Sequence, residues 1–171
     1  PLPGARPLRV VALTRETPDA VSITLVDPRG EAIAYRPGQF FTLAIRVQGE
    51  VLRRAYSPSL PMEEASPPGS VRLTIKRVAG GRVSGHLLEH ARVGDAMYVF
   101  GPSGSFVLEG APSTLVLLGG GSGVTPLAAI ARDALSRLSD TRVVFIVGNR
   151  SIEDILFRDE LSALAARHPS R

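Results

Sequence analysis

Near residue 110 the hydrophobic pattern of this chain changes period, and that change demands two kinds of architecture from one sequence. Before it, short β-type runs alternate with turn residues, over 8–14, 20–26, 40–45, 51–57, 71–78 and 96–100. Asp27-Pro28-Arg29-Gly30 closes the second run and Pro37-Gly38-Gln39 introduces the third, both with strong turn chemistry. Short strands at this spacing predict a small closed antiparallel barrel. One helix is expected within it, over about 84–91, with Ser84 as its N-cap and Leu87, Leu88 and Ala91 on its apolar side. Residues 61–70, rich in Pro, Ser and Glu, read as an exposed loop.

After residue 110 the pattern is different. Residues 114–118 form a continuous apolar run, as expected of a strand buried on both faces. Leu127, Ile130, Ala131, Ala134, Leu135 and Leu138 recur at helical spacing, and 143–147 reads as a second buried strand. Ser151, with Asp154 three residues on, is expected to open a second helix carrying Ile155, Leu161 and Leu164. This β-α-β-α order begins a doubly wound parallel sheet. Two strands and two helices do not cover both faces of such a sheet, so the α/β half is expected to be incomplete. The expected division is a barrel over 1–110 and an α/β part over 111–171.

Composition narrows the function classes. The formal net charge of +4 is carried by dispersed arginines, with Lys76 the single lysine, and no basic tail or stripe suggests nucleic-acid binding. The chain has no cysteine, hence no disulfide, no thiolate nucleophile and no cysteine-ligated cluster of its own. No apolar run approaches the roughly 18–20 residues of a membrane span, and the first residues lack the apolar core of a signal peptide. A soluble cytoplasmic protein, with neither membrane nor nucleic acid as partner, is the expectation.

Three segments carry chemistry. Arg54-Ala55-Tyr56-Ser57 lies on an expected strand, where residues two apart share a face. Arg54 and Tyr56 can therefore enter one groove, the guanidinium toward a phosphate and the ring beside a flat cofactor, with the Ser57 hydroxyl next to them. A half-buried strand with an exposed arginine has the same pattern. Gly80-Gly81-Arg82-Val83-Ser84 places glycines ahead of a helix start, where free N–H groups and the helix dipole favour an anion; a plain helix cap looks the same. Gly119-Gly120-Gly121-Ser122-Gly123-Val124-Thr125-Pro126 sits between an expected strand and helix. It lacks G-x-G-x-x-G spacing, yet close approach of a ligand to bare backbone accounts for its glycines better than a tight turn alone.

Two further patterns are set aside. His86-Leu87-Leu88-Glu89-His90 spells H-x-x-E-H, but no third ligand is evident and the barrel pattern already wants an amphipathic helix there, so no metal is expected. Asn149-Arg150-Ser151 matches a glycosylation sequon without the secretory context that would give it meaning.

Seven blocks in order make the chain resemble the ferredoxin–NADP⁺ reductase superfamily, most closely the reductase components of bacterial oxygenases. They are Pro37-Gly38-Gln39-Phe40, Arg54-x-Tyr56-Ser57, Lys76-Arg77-Val78-x-x-Gly81-x-x-Ser84, Val93-Gly94-Asp95, Gly101-Pro102-Ser103-Gly104-x-Phe106, the glycine turn at 119–126, and Asn149-Arg150-x-x-x-Asp154-x-x-Phe157-x-x-Glu160-Leu161. The resemblance implies an antiparallel flavin-binding barrel followed by a nucleotide-binding α/β domain. It implies that Arg54, Tyr56 and Ser57 bind the flavin phosphate, stack on the ring and reach its reactive edge. Lys76 belongs to the next cofactor-binding block, in which Gly81, Val83 and Ser84 hold a pyrophosphate and so indicate FAD rather than FMN. Gly120, Gly121 and Gly123 line the nucleotide phosphates, and Thr125 lies beside the nicotinamide. Ser57 and Thr125 are thus the residues expected at the reacting atoms. Arg150 follows the second α/β strand, where an adenosine 2′-phosphate can be met; an exposed helix-start arginine reads equally well.

The implied activity is an NAD(P)H-dependent, FAD-containing reductase that passes electrons to a one-electron acceptor, an iron–sulfur or haem partner. The alternative is a flavin- or nucleotide-binding module of a larger assembly, without turnover of its own. The later strands of the superfamily, its Cys-Gly-Pro motif and its C-terminal aromatic or ferredoxin domain have no counterpart here.

Overall fold

The computed structural model describes residues 2–171. Six antiparallel strands, β1 (Arg6–Thr17), β2 (Ala20–Val26), β3 (Phe40–Val47), β4 (Glu50–Tyr56), β5 (Val71–Lys76) and β6 (Ala96–Ser103), lie in the order β4-β3-β6-β1-β2-β5. A bridge between Pro58 and Leu73 joins the run after β4 to β5, so the sheet curls back on itself. Alternation along the strands sends Leu8, Val10, Ile23, Leu25, Leu43, Leu73 and Ile75 into one buried core. Helix α1 (Arg82–His90) adds Val83 and Leu87 to that core.

The α/β half follows as β7 (Thr114–Gly120), α2 (Val124–Arg137), β8 (Arg142–Gly148) and α3 (Arg158–Arg167). Strands β7 and β8 pair in parallel, from Thr114–Arg142 to Gly120–Gly148. No helix among the described residues is long and apolar enough to cross a membrane.

Several expectations need correction. Helix α1 begins two residues earlier than expected, at Arg82, with Gly81 as its N-cap. Ser84 is the third helical residue, and its hydroxyl turns back to accept from the Val78 N–H at 3.1 Å, fastening the preceding turn. Strand β7 is not buried on both faces. Both α2 and α3 pack with Leu115, Leu117, Val143 and Phe145, which leaves Val116 61% and Leu118 73% exposed on the other face. Ile146 of β8 is exposed there too, so that strand is not the fully buried one expected. Helix α3 starts at Arg158 rather than at Ser151. Residues 151–157 instead form turns that bury Leu156 and Phe157 with Ala20, Val124 and Ala128, and that burial outweighs the local capping signal. The expected exposed loop over 61–70 carries a turn of 3-10 helix at Met62–Glu64 and buries Ala65 and Ser70.

Gly38 joins the halves. It adopts φ +97°, and a Cβ there would lie 1.8 Å from the Phe106 carbonyl oxygen and 3.1 Å from Cδ1 of Ile130 on α2. Gly38→Ala combines left-handed strain with an impossible contact and is expected to destabilise the protein by about 2–5 kcal/mol. Urea unfolding measures it.

Candidate functional site

A cleft of about 490 Å³ opens where the barrel meets the α/β half. Its walls are Arg54, Ala55, Tyr56 and Ser57 from β4 and its end, and Thr74, Lys76 and Val78 from β5 and its end. Gly81, Val83 and Ser84 come from the start of α1, and Ser122, Gly123, Thr125 and Pro126 from the start of α2. A larger recess of about 700 Å³, between α2, β8 and α3, is lined by none of the residues expected to bind a cofactor.

The strand pairing explains the first wall. Arg54 and Tyr56 stand opposite Leu43 and Phe41 of β3, on one face of β4. Tyr56 packs partly against the barrel core. Burial pushes its phenol above the ordinary value, with Arg54 opposing, so the ring is uncharged at neutral pH. Arg54 is exposed and donates only to the carbonyl of Arg53, at 2.7 Å. Among the described residues it has no carboxylate partner, which leaves its charge free for a ligand anion.

The second wall is a helix start built for an anion. The first-turn N–H groups of Arg82, Val83 and Ser84 have no intrahelical acceptor, and α1 has neither a capping side chain nor an acid in that turn. A Cβ at Gly81 would meet Ser84 Oγ at 2.7 Å and Val78 Cβ at 2.9 Å, so glycine is required for the tight entry. Lys76 adds a second cation, shared with Asp19 at 3.4 Å and Asp154 at 3.8 Å. An aromatic ring, two cations and open N–H groups in a cleft of this size fit a flavin carrying phosphates.

The third wall comes from the turn between β7 and α2. Of the glycines over 119–123, Gly123 lines the cleft, together with Ser122. Gly119 gives room to Leu127, whose Cδ1 a Cβ would meet at 2.7 Å, and a Cβ at Gly120 would lie 3.2 Å from the Gly148 carbonyl oxygen. Gly121 is needed for its φ of +52°, with open space beside it. Thr125 is buried in the first turn of α2, its hydroxyl donating to the Ser122 carbonyl at 2.9 Å. Arg150 lies after β8, 83% exposed and 3.3 Å from Asp154, outside the cleft lining.

Sequence reasoning missed a polar set joining the halves. Arg72 of β5 donates to both carboxylate oxygens of Glu160 on α3, at 2.8 Å each. Arg132 of α2 donates to Glu160 at 2.7 Å and to Glu64 at 2.8 Å. Arg72 also lies over the Phe157 ring, 5.3 Å from its centroid. The only sequence signal was Phe157-x-x-Glu160, which named the residues but not their partners.

The comparisons agree with this geometry. Residues 7–108 match the oxidoreductase FAD-binding domain, and 117–171 match the oxidoreductase NAD-binding domain. The chain is 38% identical to the ferredoxin reductase component of 3-ketosteroid-9-alpha-monooxygenase from Mycolicibacterium smegmatis, over 96% of this chain and 47% of that protein. It is 35% identical to the glycine betaine monooxygenase reductase subunit from Pseudomonas aeruginosa, over 96% of this chain and 44% of that protein. The chain thus spans about half the length of the curated relatives it matches. Among solved structures, the flavohem-like FAD/NAD binding domain of nitric oxide dioxygenase from Vibrio cholerae superposes with a TM-score of 0.86 at 27% identity, covering 97% of this chain and 71% of that one.

Proposed function

Because this chain belongs to the oxidoreductase FAD-binding domain family, with an oxidoreductase NAD-binding domain behind it, we propose that it is the flavin-bearing part of a reductase. It takes electrons from NAD(P)H and delivers them singly to an iron–sulfur or haem acceptor. The observation that carries this reading is convergence: the Arg54–Ser57 strand end, the α1 start and the α2 start all line one cleft.

Bound FAD supplies the conversion between two-electron and one-electron chemistry. The chain's own residues bind, orient and shield. Arg54 and the N–H groups at the start of α1 hold phosphate oxygens through charge-assisted hydrogen bonds. Tyr56, uncharged and packed on the barrel, gives a fixed ring surface for stacking. Ser57 places a hydroxyl at the near wall, while Thr125 and Pro126 form the facing wall on which a nicotinamide is oriented. The Thr125 hydroxyl fixes the α2 start through Ser122, which holds that wall in place. Arg150, outside the cleft, is the cation assigned to a 2′-phosphate.

The test is direct. Purified protein incubated with FAD and desalted should retain a yellow chromophore with altered flavin fluorescence. A colourless protein overturns the reading.

A further inference from the structure

Ser22 of β2 and Thr74 of β5 stand opposite one another in the strand register, with their hydroxyls 2.7 Å apart. Both lie on the face turned away from the core of Ile23, Leu73 and Ile75. Ala20, on the same face, is covered by Val124, Ala128, Leu156 and Phe157 of the α/β half. The two hydroxyls are accordingly shut off from bulk water, at 1% and 4% exposure. Ser22 also donates to Oε1 of Glu16. Glu16 sits at the β1 bulge between Arg15 and Thr17, and a bulge re-aims the side chain it carries.

The ends of this row open to different places. Thr74 lines the cofactor cleft. Glu16 lines a separate recess with Arg15, Glu153, Arg158, Asp159 and Glu160. Three side-chain oxygens therefore form an unbroken hydrogen-bonded row from the cleft to the surface, beneath the contact between the halves. Because Ser22 donates to Glu16, the hydrogen bond between Ser22 and Thr74 must be donated by Thr74, so the row has one direction, from the cleft to the carboxylate.

We propose that Thr74, Ser22 and Glu16 are the proton exit of the flavin cleft, an inference that rests on the reductase reading above. A hydride brings two electrons and one proton into the cleft. When the two electrons leave singly to the acceptor, one proton remains and must leave as well. Thr74 Oγ accepts it while passing its own hydroxyl proton to Ser22, and Ser22 passes its proton to the Glu16 carboxylate, which releases it to water. Charge and protons balance, with the one-electron acceptor as oxidant.

The surroundings of Glu16 suit that role. Burial pushes its carboxyl above the ordinary glutamate value, against the Ser22 hydrogen bond and the Arg72 charge, while the Glu160 charge adds to the rise. A proton carrier works best with a pKa nearer the operating pH. Arg72 on β5, Glu160 on α3, and Arg15, Glu153, Arg158 and Asp159 around the recess are the charged groups facing it.

The experiment uses FAD-loaded protein reduced with dithionite and reoxidised by ferricyanide in stopped flow, in H₂O and D₂O. Glu16→Gln and Ser22→Ala should retain FAD, yet reoxidise about tenfold more slowly, a conservative share of positioned proton transfer because water can substitute. The solvent isotope effect should rise and the pH dependence assigned to Glu16 should vanish, whereas Glu16→Asp should recover part of the rate. FAD-free protein gives a second readout, by NMR titration of the Glu16 carboxyl. Ser22→Ala removes a donor to the ionised form and should raise that pKa further. Variants that hold FAD and reoxidise with wild-type rate, pH profile and isotope effect would overturn the proton exit alone. An unchanged Glu16 titration in Ser22→Ala does the same. Failure of the wild-type protein to bind FAD overturns both readings.

Discussion

Glu160→Ala is expected to lower stability by roughly 2–3 kcal/mol at neutral pH and to loosen the α/β half from the barrel, leaving both cores intact. The size follows from what Glu160 holds. It receives two hydrogen bonds from Arg72 on the barrel and one from Arg132 on α2. Arg132 is only 6% exposed and its Nε has no partner, so without Glu160 its charge keeps Glu64 alone as counter-ion. Breaking a fully buried pair costs about 3–5 kcal/mol, and the figure is reduced here because the Glu160 side chain is 36% exposed. Loss of the clamp also frees Phe157 beneath Arg72.

The same clamp should respond to pH. The Arg72 hydrogen bonds, chiefly, hold the Glu160 carboxyl below its ordinary value, against burial, with the Arg72 and Arg132 charges assisting. A depressed folded-state pKa contributes stability in full above the unfolded value, and that contribution is lost as pH falls through the folded value. Urea unfolding of wild type and Glu160→Ala should therefore differ most at neutral pH and converge in acid. Equal stability at neutral pH, or a gap that widens in acid, contradicts the clamp.

The parts legible in the sequence are those set by local period. Strand β2 (Ala20–Val26) falls on its predicted bounds because alternation and the Asp27-Pro28-Arg29-Gly30 turn agree. Helix α2 follows from apolar spacing, and the cleft wall at Arg54 and Tyr56 follows from the two-residue repeat of a strand. What the sequence hid depends on distant partners. Leu156 and Phe157 override the Ser151 cap by packing on Ala20, far earlier in the chain. The Ser22–Thr74 contact spans 52 positions and exists only through strand register. The glycine turn also has packing reasons the sequence does not display: Gly119 gives room to Leu127, and Gly121 takes a positive φ, neither visible without the helix in place.

Arg54→Ala is expected to weaken FAD binding by about 10- to 100-fold, the equivalent of one charge-assisted hydrogen bond. Fold stability should be unaffected, because Arg54 bonds only to the adjacent Arg53 carbonyl and sits exposed at the cleft mouth. Fluorescence titration with three ligands separates its role from a general loss of shape. FAD and FMN both carry phosphate and should lose affinity, whereas riboflavin, with none, should bind wild type and variant alike. An equal loss for riboflavin would mean that Arg54 shapes the cleft instead of meeting an anion. Lys76 makes a poorer probe of the same question. Its ammonium is already shared with Asp19 and with Asp154 of the α/β half, so Lys76→Ala removes a contact between halves along with any phosphate contact. Arg54→Lys is the sharper companion. It keeps the charge but loses the planar fork, so an intermediate affinity identifies two-point contact with phosphate, and full retention identifies charge alone.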